Sequence, residues 1–259
     1  IINRRMKKHM RRLLILLMHI CSSVICSSCT EQKTKTDEIL DHIEYMLSVH
    51  PDSTFSMIES IDPSSFESEK QQARYSLIRA VVWDKNQIDV CSDSIIADAV
   101  SYYSQKGSEA EKARTFYYTA RVFENAGNEE KAMHWLIKSE RAGCSAGDEK
   151  LLALIFAAKG RIYHKVLDYK EAADNYMKAA EKNLSTENLD RYYANMLRKA
   201  DCHIMNKEYD SARQTLAPIR NNQTDLSIRN LNRMYQGLIN LAEKTSNEDI
   251  AMIRNEYLD

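Results

Sequence analysis

The sequence predicts an all-α protein, a right-handed superhelical solenoid of antiparallel helix pairs repeating about every 40 residues. Three observations predict it. First, three polar turns end on alanines spaced about 40 apart, Gly127-Asn128-Glu129-Glu130-Lys131-Ala132, Leu167-Asp168-Tyr169-Lys170-Glu171-Ala172 and Lys207-Glu208-Tyr209-Asp210-Ser211-Ala212. Second, the flanking segments keep one register. Phe116, Ala120 and Phe123 recur as Phe156, Gly160 and Tyr163, then as Met196, Ala200 and His203. Beyond each turn, Ala132, Leu136 and Ser139 recur as Ala172, Tyr176 and Ala179, then as Ala212, Leu216 and Ile219. Small residues let two helices approach and bulky ones fill the groove beside them. Third, six Gly and three Pro in 259 residues leave the chain without the punctuation that sheets demand. No single pair buries its apolar face alone, so neighbours stack into one core.

Taken in order, residues 1–29 read as a secretory signal with a lipobox. Arg4, Arg5, Lys7, Lys8, Arg11 and Arg12 precede the apolar run Leu13–Ile20, and small residues follow. That run is too short for an ordinary spanning helix. Ile25-Cys26-Ser27-Ser28-Cys29 resembles a bacterial lipobox, with Ser27 and Ser28 in the small positions and Cys29 as the acylated residue; Cys26 stands where such boxes usually carry Leu. An ordinary cleaved signal with an incidental cysteine is the competing reading. Residues 30–36 read as a polar tether. Residues 37–107 read as degenerate N-terminal helical repeats. There Ile39, Leu40, Ile43, Met46 and Leu47 have helical spacing up to Pro51, a short helix follows, and Ser64-Ser65-Phe66-Glu67 is expected to cap the helix of Tyr75 to Trp83. Ser92-Asp93-Ser94 is expected to cap another, which Gly107 breaks. Residues 108–220 form the regular three-turn array, opened by a capping box at Ser108 and Glu111. Residues 221–259 read as a partial fourth repeat that stops inside its second helix, as a truncated reading frame would.

The register of residues 108–220 resembles the tetratricopeptide repeat, with large, small and aromatic residues on the first helix and Ala before a large residue on the second. The usual period is about 34; the extra residues here fall around Gly143–Gly147 and Leu184–Asn188. The whole chain is also similar to tetratricopeptide-repeat lipoproteins of Bacteroidota type. Ala73-Arg74-Tyr75-Ser76-Leu77, Asp84-Lys85-Asn86 and Ser92-Asp93-Ser94-Ile95-Ile96 carry that likeness. Longer members of that group continue to a transmembrane helix and a regulatory segment.

Composition narrows the function. Lys plus Arg number 36 against 37 Asp plus Glu, and six of the cations lie in the leader before any acid. Removing it leaves a net charge of about −7. Such a chain is not built to hold nucleic acid along its surface, and an anionic membrane would repel it, so lipid on Cys29 must hold it to a membrane. Cys91, Cys144 and Cys202 are odd in number and far apart, which favours small buried hydrophobes over a disulfide framework; a pair between two that meet in the fold is the competing reading. No His-Glu-x-x-His, Cys-x-x-Cys, phosphate loop or nucleophile elbow is present, and Cys202-His203, being adjacent, diverge on a helix. His203, aligned with Phe123 and Tyr163, reads as a packed core residue. No enzyme, cofactor or metal is indicated, nor a small-molecule substrate.

The remaining candidate is the concave face lined by first helices. The register places Arg114, Tyr117, Arg121 and Asn125 there, then Ala157, Arg161, His164 and Lys165, then Leu197, Asp201 and Ile204. Arg114, Arg121, Arg161 and Lys165 make a basic strip that fits a partner's carboxylates, with Tyr117 as a stacking surface. Glu124 and Asp201 oppose that reading, and a solvated charged face without a ligand has the same pattern. The expectation is an exported protein, lipid-anchored to the cell envelope at the outer membrane or the periplasmic face of the inner one. It binds a protein or acidic peptide segment. The alternative is the sensory part of a membrane regulator whose spanning and output segments lie outside this chain.

Overall fold

The computed structural model describes residues 35–245 and 250–258. The signal, the lipobox and Cys29 lie outside the described residues, as does most of the tether. The chain divides between Ile39 and Leu40. Among the described residues there are twelve α-helices, four short 3-10 turns and no strand.

The helices are α1 Lys35–Val49, α2 Thr54–Glu59, α3 Glu69–Lys85, α4 Ala97–Lys106, α5 Glu109–Asn125 and α6 Glu129–Ala146. They continue as α7 Glu149–Lys165, α8 Tyr169–Ser185, α9 Leu189–Met205, α10 Tyr209–Asn221, α11 Ile228–Thr245 and α12 Ile250–Leu258. Polar side chains open most of them. Ser108 and Glu111 close the expected capping box on α5. Asn128, Asp148, Asp168 and Asn188 each accept the N–H three residues on, which removes one of a helix's orphan donors. One expected cap is displaced. Pro63 starts a 3-10 turn capped by Asp62, and the Ser68 side chain, accepting from Gln71 N–H, opens α3.

The period is written in the backbone as well as in the side chains. Gln87, Gly127, Leu167 and Lys207 all have left-handed φ, at 58°, 69°, 65° and 62°. After each, an N–H reaches back into the last helical turn. Ile88 bonds Trp83 C=O at 2.9 Å, Asn128 bonds Phe123 at 2.9 Å, Asp168 bonds Tyr163 at 2.9 Å and Glu208 bonds His203 at 2.8 Å. This left-handed closure satisfies carbonyls the helix end leaves free. The series therefore begins at α3, one turn earlier than the side-chain register alone reveals.

Consecutive helices pack against one another, most extensively α5 with α6, α7 with α8 and α8 with α9. Odd-numbered helices also meet across repeats, α3 with α5, α5 with α7 and α9 with α11. Ala120, Ala200, Ala132, Ala172 and Ala212, and their bulky companions Leu136, Tyr176 and Leu216, are all buried, as the register requires. Gly160 shows why the small positions are small, since a Cβ there would lie 2.8 Å from the Tyr176 ring. One apolar cluster runs from Leu40 to Ile162 with Ala179, and a second from Leu197 to Ile253. Ala172, Ala173, Tyr176 and Cys202 form a small separate cluster. Cys202 is buried, whereas Cys91 and Cys144 are exposed, so the expectation of three buried cysteines holds only for one; all three are free. His203 is not a wholly enclosed core residue, because its Nδ1 pairs with Glu208 at 2.6 Å near the surface. Among the described residues no helix is long and apolar enough to cross a membrane.

Candidate binding face

The odd-numbered helices α3, α5, α7, α9 and α11 carry the residues the register assigns to one face. What they present differs from a basic strip. Arg121 Nε donates to Asp84 at 2.9 Å, and its Nη1 also pairs with Glu124. Arg161 takes both oxygens of Glu124 in a fork, at 2.8 and 3.0 Å. Arg114 bonds Glu44 at 2.6 Å, and exposed Lys165 pairs with Glu129. All four cations are thus matched by acids of this chain. Tyr117 is 5% exposed, so its ring is packed inside and is no stacking surface. Ala157, Leu197 and Ile204 are likewise buried. Asn125 is half-buried, and its backbone C=O accepts from the Cys91 thiol at 3.7 Å. His164 sits edge-on to Tyr169, with ring centres 5.3 Å apart.

The pairing follows the repeat. Asp84 to Arg121 and Glu124 to Arg161 each span 37 residues, joining the end of one first helix to the middle of the next. With the Arg121–Glu124 pair between them, they form a continuous ladder, Asp84–Arg121–Glu124–Arg161. Burial alone would raise the Glu124 carboxyl, but the hydrogen bond and charge of Arg161 and the charge of Arg121 outweigh it and hold it below its ordinary value. Burial opposes the charge on both guanidiniums too; Asp84 and Glu124 hold Arg121 charged, and Glu124 does so for Arg161. Partners this complete offset the desolvation of buried charges.

The third rung breaks the rule. Its register positions are His164 and Asp201, so an acid stands where Arg121 and Arg161 stood. Among the described residues neither the Asp201 side chain nor that of Arg233 on α11 makes a hydrogen bond or an ion pair, although the charge of Arg233 is felt at Asp201. Both line a cleft of about 360 Å³, with His164 at the end of α7, Ile204 and Met205 of α9, and the amides Gln236 and Asn240 of α11. Burial pushes the Asp201 carboxyl up to about 6, against the pull of Arg233 and Arg198. Arg198, one turn before Asp201, donates to Asn195 Oδ1 at 3.2 Å and lies 5.9 Å from the Tyr176 ring centre. Burial and then the charge of Arg233 push it below its ordinary value. Gly237 brings α11 close, its Cβ position lying 3.9 Å from Asp201 Oδ1.

Asp201 was legible in the sequence as a sign change at a repeated position. Arg233 was not, because the 3-10 turn Gln223–Asp225 before α11 breaks the period. Among the described residues no group of His, Cys, Asp and Glu is placed to hold a metal ion. Comparison of the chain with protein-family models, with curated proteins and with solved structures finds no match.

Proposed function

We propose that this protein binds another protein or a peptide along the face of its odd-numbered helices, without catalysis. In this reading the helix pairs wind into a right-handed superhelix of tetratricopeptide type, and that face is its inner wall. Acylated Cys29 tethers the array to the cell envelope. One observation carries the binding reading. The ion-pair ladder that neutralises the face through α3, α5 and α7 gives way, at α9 and α11, to a cleft with unmatched charges of both signs. A fold spends stability to keep unpaired, half-buried charges, and such exceptions to local consistency concentrate where a protein meets a ligand.

The test is affinity capture from membranes of the source cell with the mature array, read by mass spectrometry. A specific partner retained by the native chain and lost on Asp201→Asn with Arg233→Gln supports the reading. A partner retained equally by that double variant, and by Arg121→Ala with Arg161→Ala, places binding elsewhere and removes this face from consideration.

A further inference from the structure

The cleft at the broken rung has a chemistry more specific than its place on the face. Its wall charges are one carboxylate, Asp201, and one guanidinium, Arg233, brought together from α9 and α11 without forming an ion pair. The remaining titratable group lining it is His164 of α7, while Arg198, one turn before Asp201, donates to Asn195 Oδ1. A simple anion entering here meets the Asp201 carboxylate, and a simple cation meets Arg233. A ligand that brings both an ammonium and a nearby oxygen acceptor satisfies both walls at once. The amides add a direction. Gln236 Nε2 donates to Asn240 Oδ1 at 2.8 Å, which leaves the Gln236 oxygen to accept and the Asn240 amide nitrogen to donate. One acceptor and one donor side by side suit a peptide unit. Ile204 and Met205 supply the apolar part of the wall. The volume lies at the small end of ligand pockets, which run roughly 300–1,000 Å³.

We propose that this cleft receives an α-ammonium group together with the adjacent carbonyl or carboxylate oxygen, the free amino terminus of a peptide with an apolar first side chain being its source. The proposal rests on the peptide-binding reading above. The ammonium donates to the Asp201 carboxylate, the first carbonyl accepts from Arg233, the next peptide unit pairs with Gln236 and Asn240, and the first side chain packs on Ile204 and Met205. Hydrogen bonds between charged partners in a partly desolvated site are the stronger kind, and blocking the ammonium leaves the half-buried carboxylate without a partner. A free α-amino acid carries the same ammonium beside a carboxylate, so the probes must separate the two sources.

Isothermal titration calorimetry of the full chain with three probes decides the matter: leucyl-glycyl-glycinamide, its N-acetylated form, and free leucine. The expected result is binding of the free-amino peptide, weakened by about tenfold or more on acetylation and by a similar factor in Asp201→Asn. Arg233→Gln, which keeps an N–H donor but not the charge, is expected to weaken the same peptide. Binding of leucine but of neither peptide keeps the ammonium recognition, assigns its source to a free amino acid, and overturns the peptide reading. Equal affinity for acetylated and free peptide, or an unchanged affinity in Asp201→Asn, overturns the cleft assignment and leaves the peptide reading standing. Failure of all three probes to bind also overturns the assignment, while the membrane capture tests the broader reading separately.

Discussion

At the scale of single residues, the face sorts its charges into those whose partners stabilise the fold and those without partners. Arg161 and Asp201 occupy the same repeat position with opposite consequences. Removing Arg161 leaves Glu124, with a side chain 16% exposed, holding only Arg121. Arg161→Ala is expected to cost about 1–3 kcal/mol in denaturant unfolding, below the cost for a fully buried pair because Arg161 is partly exposed. Lys165→Ala, at a side chain 60% exposed, is expected to change little. Asp201 has the reverse sign. Its carboxyl is raised from 3.8 to about 6 by burial, so the folded state binds a proton more readily than the unfolded chain between those pH values. Its contribution is therefore most favourable below about pH 4 and is lost as pH rises through 6. Asp201→Asn is expected to gain about 1–2 kcal/mol over the native chain at pH 7.5, after allowing for partial exposure, and nothing at pH 4. Glu44 and Glu124, lowered by their arginines, titrate in the opposite sense, but they are common to both proteins and drop out of the difference. Equal melting temperatures at pH 7.5 would show that Asp201 is already satisfied. A variant that gains stability and loses peptide binding would mark the acid as kept for its ligand.

At the scale of elements, each hairpin solves one packing problem with a matched pair of residues. The small position of a first helix and the bulky position of its second helix read Ala120 with Leu136, Gly160 with Tyr176, and Ala200 with Leu216. Glycine appears where the bulky partner is aromatic, because a methyl there would stand 2.8 Å from the Tyr176 ring. Gly160→Ala is thus expected to destabilise by about 1–2 kcal/mol, the clash outweighing the helix-propensity gain of roughly 1 kcal/mol. Adding Tyr176→Leu should recover part of that loss by rebuilding the arrangement of the neighbouring repeats, as thermal unfolding of the two variants would show. This packing code was legible beforehand because it uses residue types at a fixed spacing. The start of the series was harder to see. Gln87 adopts the same left-handed turn as Gly127 but is no turn residue by composition, and only its φ of 58° reveals it. The cap of α3 was misplaced because Pro63 fixes its own 3-10 turn and takes the nearer serines out of contention. The basic strip was legible as a set of residues on one face, and its neutralisation was not. Asp84 and Glu124, which hold Arg121 and Arg161, each reach across from the preceding first helix, and spacing along one helix does not say which side chains meet across two.

At the scale of the whole molecule, the charge distribution constrains where the protein can reside. Its ladder cations are occupied by acids of the same chain, and residues 30–259 carry a net charge of about −7. No surplus of positive charge is left to draw it to anionic lipid, and each acid near such a surface is repelled within a Debye length of about 8 Å. The proposed attachment to a membrane therefore has to come from hydrocarbon. The described residues hold no helix long and apolar enough to span, while the proposed lipobox, Ile25 to Cys29, would offer the Cys29 thiol for acylation. A single acyl chain gives marginal binding, but several on one cysteine hold firmly. Two observables separate lipid from charge. Washing membranes with molar salt should leave the native protein in place, since screening removes only electrostatic attachment. Cys29→Ala should abolish incorporation of labelled fatty acid and move the protein to the soluble fraction, with the helical signal of the array unchanged. Labelling that persists in Cys29→Ala, or release of the native protein by salt alone, would overturn the lipid tether and leave the array as a binding module without an anchor at Cys29.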